Sequence, residues 1–167
     1  MGTKRVGWAR IKSLINENQN QLKLLHPQIV AVSGTKTLKA AESGATIAWT
    51  LGTAHHITLP KATVGLRYNF VIQKGSNDAH TIITQTADKI HGSAIVGEHD
   101  TLGGCNSQFI ARGSGKNKVH FDGNGTTEGG QAGDTCTLIC VEAGMWTASI
   151  RQTTSATVAG AVTPIAD

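Results

Sequence analysis

The feature that most constrains the fold is a period-two alternation of apolar residues, in short runs separated by turn residues. It is clearest in residues 46–74, where the run 55–59 stops at Pro60 and the run 68–72 begins three residues after Gly65. Period two is the signal of a half-buried strand, and proline cannot donate a hydrogen bond to a ladder. We therefore predict a strand, a short connection and a second strand here. The stretch contains no obvious catalytic motif, which favours a scaffold.

Runs of the same kind continue to Arg151, and no helix-length segment lies between them, which disfavours folds built from βαβ units. Short strands at spacings of about 8–12 residues, with turn signals between them, are typical of a sandwich or barrel. We predict an all-β fold: an antiparallel β-sandwich or jelly-roll-like domain with a short N-terminal helical arm. The predicted strands are 29–32, 37–40, 46–51, 55–59, 68–73, 80–85, 89–96, 108–111, 118–121, 135–141 and 145–151.

The last two of these strands form the clearest hairpin, because the link Glu142-Ala143-Gly144 joins two alternating runs. The first of the two is apolar on both faces, which predicts a central position in a sheet. The predicted organisation is, in order, a basic arm or amphipathic helix at 1–27, a β-sandwich domain at 28–151 and an extended or flexible tail at 152–167.

Residues 6–25 are the one segment with helical periodicity, and Pro27 ends it. Apolar residues recur at alternating spacings of three and four, with Asn18 in the one polar place. A single polar core residue can fix the register and oligomeric state of a coiled coil, but three heptads are short for an independent one. The sequence leaves open a coiled coil, an amphipathic helix packed on its own domain or on a partner, and no stable helix. The heptad core positions are Trp8, Ile11, Ile15, Asn18, Leu22 and Leu25.

Positive charge is concentrated at the N-terminus. Residues 1–40 contain seven basic residues against Glu17 alone, and the rest of the chain contains eight basic and ten acidic residues. A basic arm on a near-neutral body indicates contact with a negatively charged surface, or else a solvated leader. Nucleic acid is not the predicted partner, because single-strand binders need several aromatics along a groove and aromatics are only 4% here. No apolar run approaches the roughly 18 residues of a membrane span, so no membrane is predicted either.

The chain offers only incomplete motifs for catalysis or ligand binding. Residues 113–116 resemble the end of a phosphate-binding loop, but Ile110 and Asn117 occupy the positions of its first glycine and of its serine or threonine. Cys136 and Cys140 lie about 13 Å apart on one predicted strand, too far for a disulfide, so we expect free and mostly buried thiols. We predict no catalytic residues, no metal and no cofactor.

Nine short motifs follow one another along the chain. They are Thr37-Leu38, 41–44 (AESG), 57–60 (ITLP), 65–68 (GLRY), 70–72 (FVI), 80–82 (HTI), 90–92 (IHG), 133–134 (GD) and 144–146 (GMW). This pattern spans about two-thirds of the chain. It resembles a β-domain that recurs in virion structural proteins of tailed bacteriophages, including head decoration (cement) proteins. The arm and the glycine-rich span 112–134, apart from the last two residues of that span, lie outside the pattern.

The resemblance implies a strand-rich sandwich on the virion surface, with no catalytic residues and no enzymatic activity. The predicted function is a capsid decoration protein, made in the host cytoplasm, that binds the outer capsid as a homotrimer. It would contact several copies of the major capsid protein and stabilise the head by bridging capsomers. The alternative is a trimeric tail fibre or spike segment with a host-binding β-domain. The residues predicted to bind the capsid are Lys4, Arg5, Trp8, Arg10, Ile11, Lys12 and Ile15, and those predicted to mediate oligomerisation are Asn18, Leu22 and Leu25.

Overall fold

The described part of the chain consists mostly of β-strands. The computed structural model describes residues 7–25, 28–50, 52–75, 79–85, 87–98, 106–121, 129–154 and 165–166, and for residues 20–25, 98, 106–114, 154 and 166 it describes the backbone alone. These residues form one α-helix, a 3₁₀ turn and twelve strands in two sheets. The predicted all-β class with an N-terminal helix is therefore confirmed.

Each of the eleven predicted strands overlaps a strand of the structure. The strands predicted at 29–32 and 118–121 have the predicted ends, whereas the one predicted at 37–40 overlaps a strand at Thr37 alone. A twelfth strand lies in the segment predicted as a tail. The elements are α1 (Trp8–Leu25), β1 (Ile29–Val32), β2 (Lys36–Thr37), the 3₁₀ turn Ala40–Glu42, β3 (Thr46–Trp49), β4 (His55–Thr58), β5 (Arg67–Ile72), β6 (His80–Ile83), β7 (Lys89–Glu98), β8 (Asn106–Lys116), β9 (Lys118–Phe121), β10 (Thr135–Glu142), β11 (Met145–Thr154) and β12 (Ile165–Ala166).

The first six strands alternate between the two sheets. β1, β3 and β5 are neighbours in a seven-stranded sheet, and β2, β4 and β6 are neighbours in a five-stranded sheet. All of these neighbours pair in parallel. Each strand is followed by a strand of the other sheet, so the chain returns to a sheet in its original direction. The prediction of antiparallel sheets was therefore wrong for this half of the body, because the links cross between the sheets and do not turn back within one.

The later strands pair in both directions. The seven-stranded sheet has the order β1-β3-β5-β10-β11-β7-β8, and the five-stranded sheet has the order β12-β9-β6-β4-β2. β10 is antiparallel to both β5 and β11, which confirms the predicted hairpin and the predicted central strand. β7 is parallel to β11, whereas β8, β9 and β12 pair with their neighbours in antiparallel fashion.

Residues 46–74 contain β3, β4 and β5. The two strands predicted around Pro60 and Gly65 exist, but β4 lies in the five-stranded sheet and β5 in the seven-stranded sheet. Gly65 has a φ of +94°, which favours glycine over residues with a side chain. Its N–H donates to the carbonyl oxygen of Cys140 at 2.9 Å, so the turn before β5 is tied to β10.

The two sheets share one hydrophobic core. Trp49 of the seven-stranded sheet places its ring centroid 5.2 Å from that of His80 and 6.0 Å from that of Phe121, which both lie in the five-stranded sheet. Because the strands are in register, side chains of the same parity form rows that face this core. One row crosses the seven-stranded sheet with at most 1% exposure: Ile47, Phe70, Cys136, Ile150 and Ala94.

Tyr68, the only tyrosine of the chain, reports on the integrity of this core. Its ring is fully buried, and its hydroxyl donates to the carbonyl oxygen of Lys39 at 2.9 Å. Burial raises the pKa of Tyr68 to about 12, and the negative charge of Glu42 adds to the shift. The folded state therefore holds the phenol proton in a pH range where the unfolded chain, with a pKa of about 10, releases it.

We expect the absorbance of native protein at 295 nm to remain flat until well above pH 10, with a midpoint near pH 12. Because the folded pKa is raised, the associated stability is complete below about pH 10 and is lost as the pH rises toward 12. Tyr68→Phe keeps the ring and should abolish the signal. A native midpoint near pH 10 would show that the phenol reaches solvent.

Candidate interaction surface

Helix α1 receives little stabilisation from its N-terminal end. Its first turn begins at Gly7, whose carbonyl oxygen accepts hydrogen bonds from the N–H groups of Arg10 at 2.9 Å and Ile11 at 3.3 Å. The first turn holds no acidic residue. Basic side chains at this end oppose the helix dipole, which favours negative charge there. Isolated helices of this length are marginal in water, so packing against another surface is the natural source of stability.

The apolar stripe of α1 lies open in the single chain. Every side chain from Trp8 to Gln19 is exposed. The exposed fractions are 74% for Trp8, 37% for Ile11, 51% for Leu14 and 47% for Ile15. Packing of this part of the helix on its own domain, one of the alternatives left open by the sequence, was therefore wrong for residues 8–19. Packing on a copy of the chain or on another protein remains as the prediction.

The four apolar residues share one side of the helix. At about 100° per residue, they occupy roughly a third of its circumference. On the same geometry Arg10 and Lys12 flank the stripe on opposite sides, and both are exposed. An apolar stripe between cations fits a partner surface that combines an apolar groove with acidic edges. We call this surface, formed by residues 8–15 of α1, the arm stripe.

The predicted arm residues are only partly within the described structure. Lys4 and Arg5 lie outside the described residues. Leu22 and Leu25 lie on the helix, but their side chains are outside the description. Asn18 is exposed on the same side as the arm stripe. Leu14 was not among the predicted arm residues, although its position three residues after Ile11 is a helical spacing that places the two side chains on one side of the helix.

The described residues offer no metal cluster, since no three His, Cys, Asp or Glu residues among them are placed to hold an ion. The predicted free, buried thiols are confirmed for Cys136 and Cys140, whereas Cys105 lies outside the described residues. Burial raises the pKa of both described thiols, which makes them poor nucleophiles at neutral pH. Within the same residues, no helix has both the length and the apolar character to cross a membrane.

Asp134 has a structural role at the end of the glycine-rich span. It is only 2% exposed. Its Oδ2 accepts N–H bonds from Gly130 at 2.8 Å and Gln131 at 3.0 Å, and its Oδ1 accepts the N–H of Thr153 at 2.8 Å. Burial raises the pKa of Asp134, and the same hydrogen bonds oppose that shift. The carboxylate thus joins the segment before β10 to the end of β11.

We expect Asp134→Asn to lower the free energy of unfolding by about 1–3 kcal/mol. The substitution turns one acceptor oxygen into a donor that faces backbone N–H groups, leaving buried donors without a partner. Urea denaturation followed by tryptophan fluorescence measures the change. Glu142→Gln, an isosteric change at an exposed position, is the matched control and should cost less than about 0.5 kcal/mol. Equal midpoints for the two variants would contradict the assigned role.

No protein-family model, curated protein or solved structure matches this chain.

Proposed function

We propose that this protein is a bacteriophage capsid decoration protein that binds the outer capsid as a trimer and stabilises the head by bridging capsomers. The observation on which the proposal rests is the open arm stripe. Four large apolar side chains, including Trp8 at 74% exposure, lie on a helix whose side chains are all exposed over residues 8–19. Exposed apolar surface of this kind is typical of sites that another protein covers.

The body supports the proposal as a scaffold. We propose that its two sheets form a β-sandwich, since they share one core and pack aromatic rings against each other across it. A rigid body of this kind presents the arm without taking part in chemistry. The motifs between residues 37 and 151 that resemble virion β-domains lie on this body. The major capsid protein is the proposed partner of the arm, and the virion surface is the proposed location.

The proposed mechanism is mechanical. Each arm would bury Trp8 and its neighbours against capsid protein, with Arg10 and Lys12 toward acidic groups. Tryptophan and arginine are the residues most often found as interface hot spots. Three arms on one trimer would bind together with an affinity far above that of a single arm. The trimer would then hold adjacent capsomers against the internal pressure of packaged DNA.

One feature favours the alternative of a trimeric tail fibre or spike segment. The heptad positions of α1 come immediately before the all-β body, as in a stalk followed by a head domain. In that case the helices would associate with each other, and the β-domain would bind the host.

The two proposed functions are distinguished by the oligomeric mass, measured by light scattering, and by binding to phage heads. The free protein should be a trimer, and it should cosediment with expanded heads assembled without it. A trimer that does not bind such heads but binds host cells would establish the alternative of a tail fibre or spike segment. A monomer that binds neither would contradict both functions.

A further inference from the structure

A second surface of the molecule has the character of a protein interface. It is the outward side of β5, β10, β11 and β7 in the middle of the seven-stranded sheet, which we call the outer face. The strands are in register, so its residues form straight rows. Three of its rows are Asn69–Thr137–Ser149–Ser93, Arg67–Ile139–Thr147–His91 and Val71–Thr135–Arg151–Ile95.

Polar side chains of the outer face already bond one another across the strands. The Thr137 hydroxyl donates to Oδ1 of Asn69 at 3.2 Å, and the Thr147 hydroxyl lies 2.9 Å from Nε2 of His91. Groups that are paired in this way lose fewer hydrogen bonds to water when another protein covers them. The outer face can therefore be buried at a lower desolvation cost than a face of unpaired polar groups.

The outer face also exposes apolar side chains. Ile139 is 39% exposed, Val141 is 62% exposed and Ile95 is 46% exposed. The first two lie on β10, the central strand of the face. Burying such side chains yields about 25 cal/mol for each Å² of apolar surface removed from water. This adds a favourable, non-directional term to any contact made here.

The charges inside the outer face have one sign. Arg67 and Arg151 are exposed on either side of β10, about 13 Å apart along the strand direction. Among the described residues neither guanidinium forms an ion pair, and the one ion pair there joins Lys36 to Glu42. Carboxylates occur in these four strands only at terminal positions, Glu98 and Glu142.

This charge pattern selects one kind of partner. Two outer faces packed against each other would bring arginines toward arginines, which disfavours a second copy. The face has no Trp, Tyr or Phe among its described residues, and two arginines about 13 Å apart are few for a nucleic-acid backbone. Arginine binds carboxylates in bidentate geometry, and arginine beside apolar residues is the composition of protein interfaces.

We propose that the outer face docks on an acidic protein surface. Arg67 and Arg151 pair with carboxylates of that surface, and Ile139, which lies beside Arg67, packs against it together with Val141. Taking the capsid as this partner rests on the proposed function, whereas the requirement for acidic groups rests on the face itself. The arm stripe and the outer face are then two separate contacts of one protein.

The test measures binding of the full chain to immobilised poly-L-glutamate in about 0.1 M salt, where charge contacts between exposed groups still act over about 10 Å. The variants are Arg67→Glu and Arg151→Glu. Lys61→Glu is the matched control, because it makes the same charge change at an exposed position in the link between β4 and β5. Each arginine reversal should weaken binding at least about tenfold, and the control less than about twofold.

An equal loss in the control would show that net charge and not the outer face governs binding, which overturns the proposal. Stronger binding to oligo(dT) than to poly-L-glutamate, with the same arginine dependence, would assign the face to nucleic acid and also overturn it. Circular dichroism verifies that each variant is folded.

Binding to heads assembled without the protein separates this inference from the proposed function. Suppose that the native chain does not bind such heads, while both arginine variants still bind poly-L-glutamate more weakly than the native chain does. The proposed function then fails, and the outer face has an acidic partner other than the capsid. If both arginine variants bind heads and poly-L-glutamate as the native chain does, the inference fails and the function stands.

Discussion

Replacing Gly92 with alanine should lower the free energy of unfolding by about 2–6 kcal/mol, a large fraction of the roughly 5–15 kcal/mol that stabilises a typical domain. Gly92 lies on β7 beside Ala148 of β11, with a φ of +154°. A Cβ at this position would lie 2.7 Å from the carbonyl carbon of Ala148, 2.8 Å from its nitrogen and closer still to its carbonyl oxygen. These are rigid backbone atoms of an interior strand of the larger sheet, so the new methyl group cannot be accommodated by a side-chain rotation.

Gly97→Ala is the matched control because it lies on the same strand. A Cβ there meets nothing within 4 Å, and Gly97 does not have a positive φ. Reduced freedom of the unfolded chain should make this variant as stable as the native protein or more stable by up to about 1 kcal/mol. Urea midpoints of the two variants measure the difference. If Gly92→Ala and Gly97→Ala unfolded at the same urea concentration, the close packing of β7 on β11 would be contradicted.

The fold class follows from the sequence because alternation is a local property. The parity of residues such as Phe70 and Ile72 already assigns them to a buried side. The pairing of strands is not local. Residues 59–66 cross from one sheet to the other, and no turn motif in them distinguishes that path from a return within one sheet. β12 was missed because two residues cannot show a period, although Ile165 is buried through its pairing with β9.

The two proposed surfaces differ in how far the sequence predicts them. The arm stripe lies within three turns of one helix, so spacing alone identifies Trp8, Ile11 and Ile15. Its exposure is a tertiary fact that only the structure provides. The outer face contains both Arg67 and Arg151, which are far apart in the chain. They lie on the two strands that flank β10, and only the pairing of these three strands brings them to one surface. Local patterns hold no information on that register.

Deleting residues 1–26 should reduce affinity for heads assembled without the protein by at least about 100-fold. The deletion removes the whole arm stripe and the basic residues around it, while the strands from β1 onward remain. If the arm of each subunit is an adhesive, the trimer loses three linked contacts at once. Cosedimentation with heads at graded protein concentrations measures the affinity. Light scattering of the deleted form then shows what the arm does for assembly, because a remaining trimer means that the body alone associates.

A single substitution shows that the loss comes from the stripe and not from a shortened chain. Trp8→Ala should weaken head binding about 30-fold, corresponding to a hot spot of about 2 kcal/mol. Ser13→Ala is the matched control, since Ser13 is an exposed residue of the same helix that lies roughly opposite the stripe. It should bind as the native chain does. If the protein without residues 1–26 bound heads with unchanged affinity, the arm would not be the adhesive, and the contact with the capsid would have to be made by the β-domain.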